Sequence, residues 1–316
     1  MQVALDTLLS FALLSAVFVP LERLFPAQRQ RLLRSEWGID LCFFLGQYLL
    51  WTAPVVALLV LVQRKLELLP LAPLRAFVQA QPLWLQFAVA IAISDASIYW
   101  AHRLSHRSQF LWRFHRVHHT APALDWLAAH REHPFDNAYT RLVENLPLIV
   151  LGVPLHLLAG FAVFRGLWAL FIHSNVALTP GPLRFVLGAP RLHHWHHELA
   201  RGGQVNFANL SPLMDLVFGT YHDPGVFPER YGLAEPLAHG YLAQLIEPFK
   251  PRRGARPAQS VQALNTYCLR EMPNDPLPST STVNTANVVS ASAALSKRVV
   301  GISSSSFQSP SLRESR

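Results

Sequence analysis

Histidine is concentrated in three short runs of this chain: His102-Arg-Leu-Ser-His106, His115-Arg-Val-His118-His119 and His193-His194-Trp-His196-His197. Residues three or four apart share one face of a helix, so each run aims imidazoles at a common point. With His173 they make a set suited to a polynuclear metal centre: His102, His106, His115, His118, His119, His173, His193, His196 and His197. Neutral imidazole binds iron, zinc, copper and nickel, and several converging runs supply nitrogens for two ions rather than one. A solvated basic face is the plainer reading of such residues. Lys or Arg would serve that purpose equally well, and ligand spacing recurs three times, which favours metal. The isolated His156 and His239 show no such pattern and read as ordinary core or surface residues. Only Cys42 and Cys268 are present, so neither a disulfide framework nor a thiolate metal site is available, and the centre must be built from nitrogen and oxygen.

The elements that hold these residues are apolar. Of 316 residues, 51% are hydrophobic and 15% charged, against about 25% charged in an ordinary soluble domain. This predicts an all-α integral membrane protein. Val3 to Pro20 carries only Asp6, Ile39 to Val62 only Asp40, and Leu83 to Ala101 only Asp95. Each approaches the ~20 residues that span a bilayer. A fourth apolar stretch, Leu146 to Ile172, contains Pro147, Gly152, Pro154 and Arg165. It reads either as one kinked span or as a re-entrant hairpin of two short helices, because about 27 residues cannot cross twice. About four membrane segments therefore carry a histidine-rich helical cap.

Arg23, Arg29, Arg31 and Arg34 follow the first span, and Arg103, Arg107, Arg113 and Arg116 follow the third. The excess of arginine in these loops predicts that they, and the metal site, face the cytoplasm, with Arg64, Lys65 and Arg75 opposing but not outweighing it. The first stretch lacks the basic start and small-residue cleavage site of a signal peptide and is expected to be retained. The net charge of +8 borders spans and histidine runs without a nucleic-acid recognition pattern, so anionic headgroups, not nucleic acid, are its expected counter-charge. The expected division is 1–82 for the N-terminal membrane helices, 83–250 for the metal-bearing domain and 251–316 for a Ser-, Thr-, Asn- and Pro-rich disordered tail.

Asp95, Tyr99, His102 and His106 lie on one helical stripe, which makes Asp95 a candidate partner fixing a histidine tautomer. Asn206-Phe-Ala-Asn209 and Phe218-Gly-Thr-Tyr221 read as loops around the site. Trp100, Trp112, Trp126 and Trp195 flank the runs, as pocket walls or as interfacial anchors.

Ser94-Asp-Ala-Ser-Ile-Tyr-Trp-Ala-His-Arg-Leu-Ser-His106, with Leu111-Trp-Arg-Phe-His-Arg-Val-His-His119, resembles the fatty acid hydroxylase superfamily, also called the sterol desaturase family. Arg131-Glu-His-Pro-Phe-Asp136, Phe171-Ile-His-Ser-Asn175 and His193-His-Trp-His-His197 extend the resemblance, which covers about residues 90 to 225. It implies a membrane di-iron oxygenase whose metals are held by the three boxes, with His173 as the intervening ligand. Iron enters through this resemblance, because spacing alone admits zinc equally well. By the same resemblance His133 is a candidate ligand and Asp136, where the family often has Glu, an acceptor behind a ligand. His130, His194 and His222 stay open, His194 as a ligand or a supporting residue.

Such a centre would use O₂ to hydroxylate or desaturate an unactivated C–H position of a lipid, such as a sterol or fatty acyl chain. With no iron–sulfur ligand set and no dinucleotide fingerprint, electrons must come from an external electron-transfer protein. Two alternatives compete. One is a zinc-dependent membrane lipid hydrolase with Glu132 or Glu198 as base. The other is a non-catalytic metal-binding or transport protein, which predicts histidines distributed along the spans. Oligomeric state is not legible.

Overall fold

A computed structural model of the chain describes residues 1–235 and 237–250, without the side chains of Leu155 and His156. The expectations for His156 and for the tail from residue 251 lie outside the described residues. Among those residues the fold is all-helical, and no strand forms beyond the isolated bridges Pro26–Val176 and Glu198–Tyr231.

Helix α1 (Gln2–Leu24) presents Leu5, Leu9, Leu13 and Val17 in one outward row, each more than half exposed. Such a row is unfavourable in water and suited to hydrocarbon. Its other face packs Phe11, Leu14, Phe18 and Leu21 into a cluster with Phe44, Trp126, Leu127 and Leu170. Helices α2 (Trp37–Gly46) and α3 (Thr52–Glu67) form one 31-residue run through a π turn at Gln47–Trp51. Pro54 offers no N–H to the Leu50 carbonyl, and the helix widens just before it. The Gln47 side chain then reaches His130 Nδ1 at 3.1 Å.

The short α4 (Ala72–Gln79) returns the chain, and Arg75 donates to the Leu66 carbonyl at 2.6 Å and the Val150 carbonyl at 3.3 Å. Helix α5 (Leu83–Arg107) carries the first histidine pair in its last two turns. Ser108 ends it, and its hydroxyl accepts from Leu111 N to cap α6 (Gln109–His115). Helix α7 (Pro134–Val150) starts at a proline and is capped by His133 Nδ1, which accepts from Phe135 N.

Residues 146–172 divide between two helices rather than forming one kinked span. α7 ends at Val150, a turn follows with Gly152 at φ +76°, and α8 runs Leu155–His173. A Cβ on Gly152 would meet the Arg75 side chain, so this turn needs both the left-handed backbone and the missing methyl. Arg165 of α8 pairs with Glu144 of α7 at 2.5 Å and donates to the Ser94 hydroxyl of α5 at 2.8 Å, which pins three helices through one buried charge pair. Helices α9 (Pro190–His196), α10 (Leu213–Val217) and α11 (Tyr241–Ile246) complete the described fold. Three helical runs, α1, α2 with α3, and α5, are long and apolar enough to cross a membrane; α8 is apolar but shorter by this measure.

Candidate metal centre

The nine histidines singled out in the sequence gather into two groups. His102, His106, His115, His119 and His196 form one, His118, His173, His193 and His197 the other, and within each group one nitrogen per ring lies within 4.8 Å of all the others. The pairs four apart stay together: His102 with His106, His115 with His119, His193 with His197. The histidines three along their runs, His118 and His196, cross to the opposite group. Neighbouring helical residues point about 100° apart, so a His-His step faces two centres at once. The second run is not one helix: α6 stops at His115 and a 3₁₀ turn takes over at His118–Thr120, with the Thr120 hydroxyl bonded to the Val117 carbonyl at 2.7 Å.

The backbone decides which nitrogen of each ring is free. His102 Nδ1–H donates to the Phe207 carbonyl at 2.8 Å and His196 Nδ1–H to the Val205 carbonyl at 2.8 Å. His118 does the same to Arg131 at 3.2 Å, and His173 to Ala169 at 2.7 Å. His115 Nδ1–H donates to the Asp136 carboxylate at 2.8 Å. A carbonyl only accepts, so these rings carry their proton on Nδ1 and present a bare Nε2. Yet His118 and His173 bring those Nε2 atoms within 3.1 Å of each other, while His102 Nε2 and His196 Nε2 are buried without a partner. Opposed lone pairs repel unless a cation lies between them. Nitrogens about 2.0–2.1 Å from one ion sit roughly 2.8–3.4 Å apart, and the Nε2–Nε2 contacts, from 2.9 Å for His193–His173 to 3.3 Å for His119–His115, suit such a donor set.

Burial, reinforced by neighbouring imidazoles, holds His118, His119, His193 and His197 well below the usual histidine pKa. Burial pushes His196 down to about 3, against its bond to the Val205 carbonyl. These five rings are therefore neutral, as metal ligation requires.

The other candidates serve elsewhere. His133 caps α7 through Nδ1 and donates Nε2–H to the Leu245 carbonyl at 3.1 Å, so neither nitrogen is free for a metal. His194 donates Nε2–H to the Ser174 and His173 carbonyls and accepts from the Tyr231 hydroxyl at 2.8 Å, clamping the chain beside His173. Asp95 accepts from Leu210 N at 3.0 Å and Ser211 N at 3.1 Å instead of from an imidazole, so it anchors a loop rather than a tautomer. His130 faces Gln47, and the exposed His239 lies 3.7 Å from Glu36. Of the four tryptophans, Trp112 stands against the imidazoles, 4.9 Å from His106 and 5.5 Å from His119 between ring centroids. Trp126 is buried against Phe18, and Trp195 donates to the Val226 carbonyl.

The sequence places a loop here but does not reveal that its Val205 and Phe207 carbonyls orient His196 and His102. Asn206 holds it at φ +54°, donating to the Leu192 and His222 carbonyls, and Asp215 accepts from Phe207 N and Ala208 N. The motif Asn206-Phe-Ala-Asn209 was its visible part.

The fatty acid hydroxylase family matches this chain at residues 87–220, the stretch that holds all nine histidines. Over that segment the chain is similar to the fatty acid hydroxylase family. An ornithine lipid hydroxylase of Rhizobium tropici is 33% identical over 177 residues, 55% of this chain and 53% of that protein. A human alkylglycerol monooxygenase is 29% identical over 49% of this chain and 34% of its own length. A Delta(7)-sterol 5(6)-desaturase of Gibberella zeae is 31% identical over 44% and 38%. The chain thus spans between a third and about half the length of these relatives. No solved structure matches it.

Within this matched segment Gly203 is the tightest point. Its φ is +73°, and a Cβ there would collide with His106 Cε1. Gly203→Ala is expected to lower stability by more than the ~1–2 kcal/mol of a left-handed alanine, because the ring or the loop must also move. Thermal unfolding of the detergent-purified variant measures this, and a midpoint equal to wild type would remove the close approach from the account.

Proposed function

We propose that this chain is a multi-pass membrane di-iron oxygenase that hydroxylates, or desaturates, an unactivated C–H position of a lipid such as a sterol or fatty acyl chain. It uses O₂ and electrons from an external electron-transfer protein. The observation that carries the reading is the pair of buried, all-imidazole groups with opposed Nε2 lone pairs. One iron would be held by His102, His106, His115, His119 and His196, the other by His118, His173, His193 and His197. Zinc is the ion that would substitute most readily. When bound, the iron pair supplies the oxidising power that no side chain has.

The chain's own residues supply the rest. Carbonyls of Val205, Phe207, Ala169 and Arg131 and the Asp136 carboxylate orient five rings and set their tautomers. Phe207 and Trp112 wall the five-histidine group with apolar rings and exclude water from it. Outward apolar rows such as that of α1 favour a substrate delivered laterally from the bilayer. The arginine-rich loops after α1 and α5 support a cytoplasmic metal site, and α8 with the end of α7 would make the fourth membrane segment as a hairpin.

Hydrolysis is less well supported. Among the described residues no carboxylate joins either group. Glu198 accepts from Ala200 N and Arg201 N, and Glu132 from Asn137. Transport would need ligands spread along the spans, whereas these lie at helix ends.

Asp136→Asn removes the charge behind His115 and is expected to weaken metal retention by the five-histidine group on the order of 10- to 100-fold. Chelator competition measures it, and wild-type retention would refute that role. The reaction itself is tested by giving ¹⁸O₂ to cells expressing the protein and analysing their lipids. The expected result is one lipid class gaining a single labelled hydroxyl or losing two hydrogens, dependent on His196. Lipids unchanged by expression, or hydrolysed independently of O₂, would overturn the proposal.

A further inference from the structure

Beside the metal-bearing segment lies a cavity of about 350 Å³ whose walls include none of the histidines. Its inner wall is apolar, built from Phe11 and Val19 of α1 with Trp37 and Trp126. Its mouth holds Arg23, Arg29 and Arg31. Two carboxylates also line it, but both are engaged. Glu22 accepts from Trp126 N at 2.8 Å and Asn175 N at 3.0 Å, and Asp125 is held by the Arg34 fork and by Ala128 N. Among the described residues no carboxylate lies within ion-pair distance of Arg23, Arg29 or Arg31, and Arg23 only donates to the Gln30 carbonyl. The mouth therefore carries three uncompensated positive charges over an apolar floor.

Its surroundings set its depth. Leu24, Phe25, Leu32 and Leu33, interleaved with these arginines, are between 46% and 72% exposed. Such a mixture of bare apolar side chains and guanidinium groups belongs at the boundary between headgroups and acyl chains. The size falls within the range of small-molecule sites, and guanidinium groups match phosphate oxygens in pairs.

We propose that this cavity binds an anionic glycerophospholipid, with its phosphate at Arg23, Arg29 and Arg31 and the start of an acyl chain against Phe11, Val19 and Trp37. The site is separate from the histidine groups and stands whether or not they oxidise lipid. It also gives the loop after α1 a purpose beyond connection: the bound phosphate would tie that loop to Trp126 and Asn175, the latter two residues from His173.

The test uses the full chain purified in detergent and native mass spectrometry with phosphatidylglycerol or phosphatidylcholine of identical acyl chains. Wild type is expected to retain one phosphatidylglycerol in preference to phosphatidylcholine, undisplaced by millimolar inorganic phosphate. At about fivefold per arginine, R23Q/R29Q/R31Q should lose on the order of 100-fold. These arginines are exposed, so the variant is expected to fold, and circular dichroism checks it. Ser15→Trp, which fills the cavity while leaving the arginines, should lose retention comparably. Equal retention of both lipids, undiminished binding by either variant, or displacement by phosphate alone would each overturn the proposal.

Discussion

Replacing His118 with alanine is expected to empty one of the two proposed metal positions and abolish the proposed lipid oxidation. His118 belongs to the smaller group, so its loss leaves three imidazoles, His173, His193 and His197. It also removes the ring whose Nε2 stands 3.1 Å from His173 Nε2. Partners behind a ligand typically contribute 10- to 100-fold in affinity or activity, and a ligand itself should exceed that. Metal per chain should fall from about two to about one, and lipid oxidation by more than about 100-fold. His196→Ala should act similarly on the five-histidine group, while His239→Ala, at an exposed site outside both groups, should leave metal and activity near wild type. Elemental analysis beside a lipid product assay decides it. A well-folded His118→Ala protein with full metal content would contradict the ligand assignment.

The largest stability effect is expected at Arg131. This guanidinium is fully buried, and it donates to Asp40 at 2.5 Å, Glu36 at 2.5 Å and the Thr120 hydroxyl at 3.2 Å. Asp40 is also fully buried and is shared with Arg34, which holds Asp125 by two bonds. Arg131→Met would leave Asp40 half-compensated in a dry interior and Glu36 without its guanidinium partner. Removing one member of a buried pair costs about 3–5 kcal/mol. The Arg131 carbonyl also accepts from His118, so the candidate metal centre shares in the disturbance. Thermal unfolding in detergent should show a fall far larger than for Arg23→Gln at the exposed end of α1. Arg131→Lys, which keeps the charge but not the planar fork, should recover part of it. Equal midpoints for Arg131→Met and wild type would mean the network contributes nothing net.

These two sites differ in how far a linear reading reaches them. The convergence of the proposed metal-binding set follows from local spacing: pairs four apart share a helical face, so the runs announce their own meeting point. Even the exchange of His118 and His196 between groups is implicit in the ~100° between successive helical residues, although which group each joins depends on the packing of α6 against α5. Arg131 is different. Its partners lie 95 and 91 residues earlier, at Glu36 and Asp40, and no local pattern announces them.

The same distance effect explains His133 and Asp95. His133 sits among the proposed ligands in sequence, yet its Nε2 meets the Leu245 carbonyl, 112 residues away. Asp95 shares a stripe with His102 and His106, but the loop at Leu210 and Ser211 folds over it and takes both oxygens. The apolar helices were legible because composition over ~20 residues suffices. The break within 146–172 turned on Gly152, whose left-handed φ and closeness to Arg75 only the folded chain displays.

The central claim is that two iron ions occupy the two histidine groups. It is tested most directly by elemental analysis with Mössbauer spectroscopy of detergent-purified protein from cells grown in labelled iron. About two irons per chain, magnetically coupled, is the result expected here. Zinc alone after iron-replete growth, or a single uncoupled iron per chain, would contradict it.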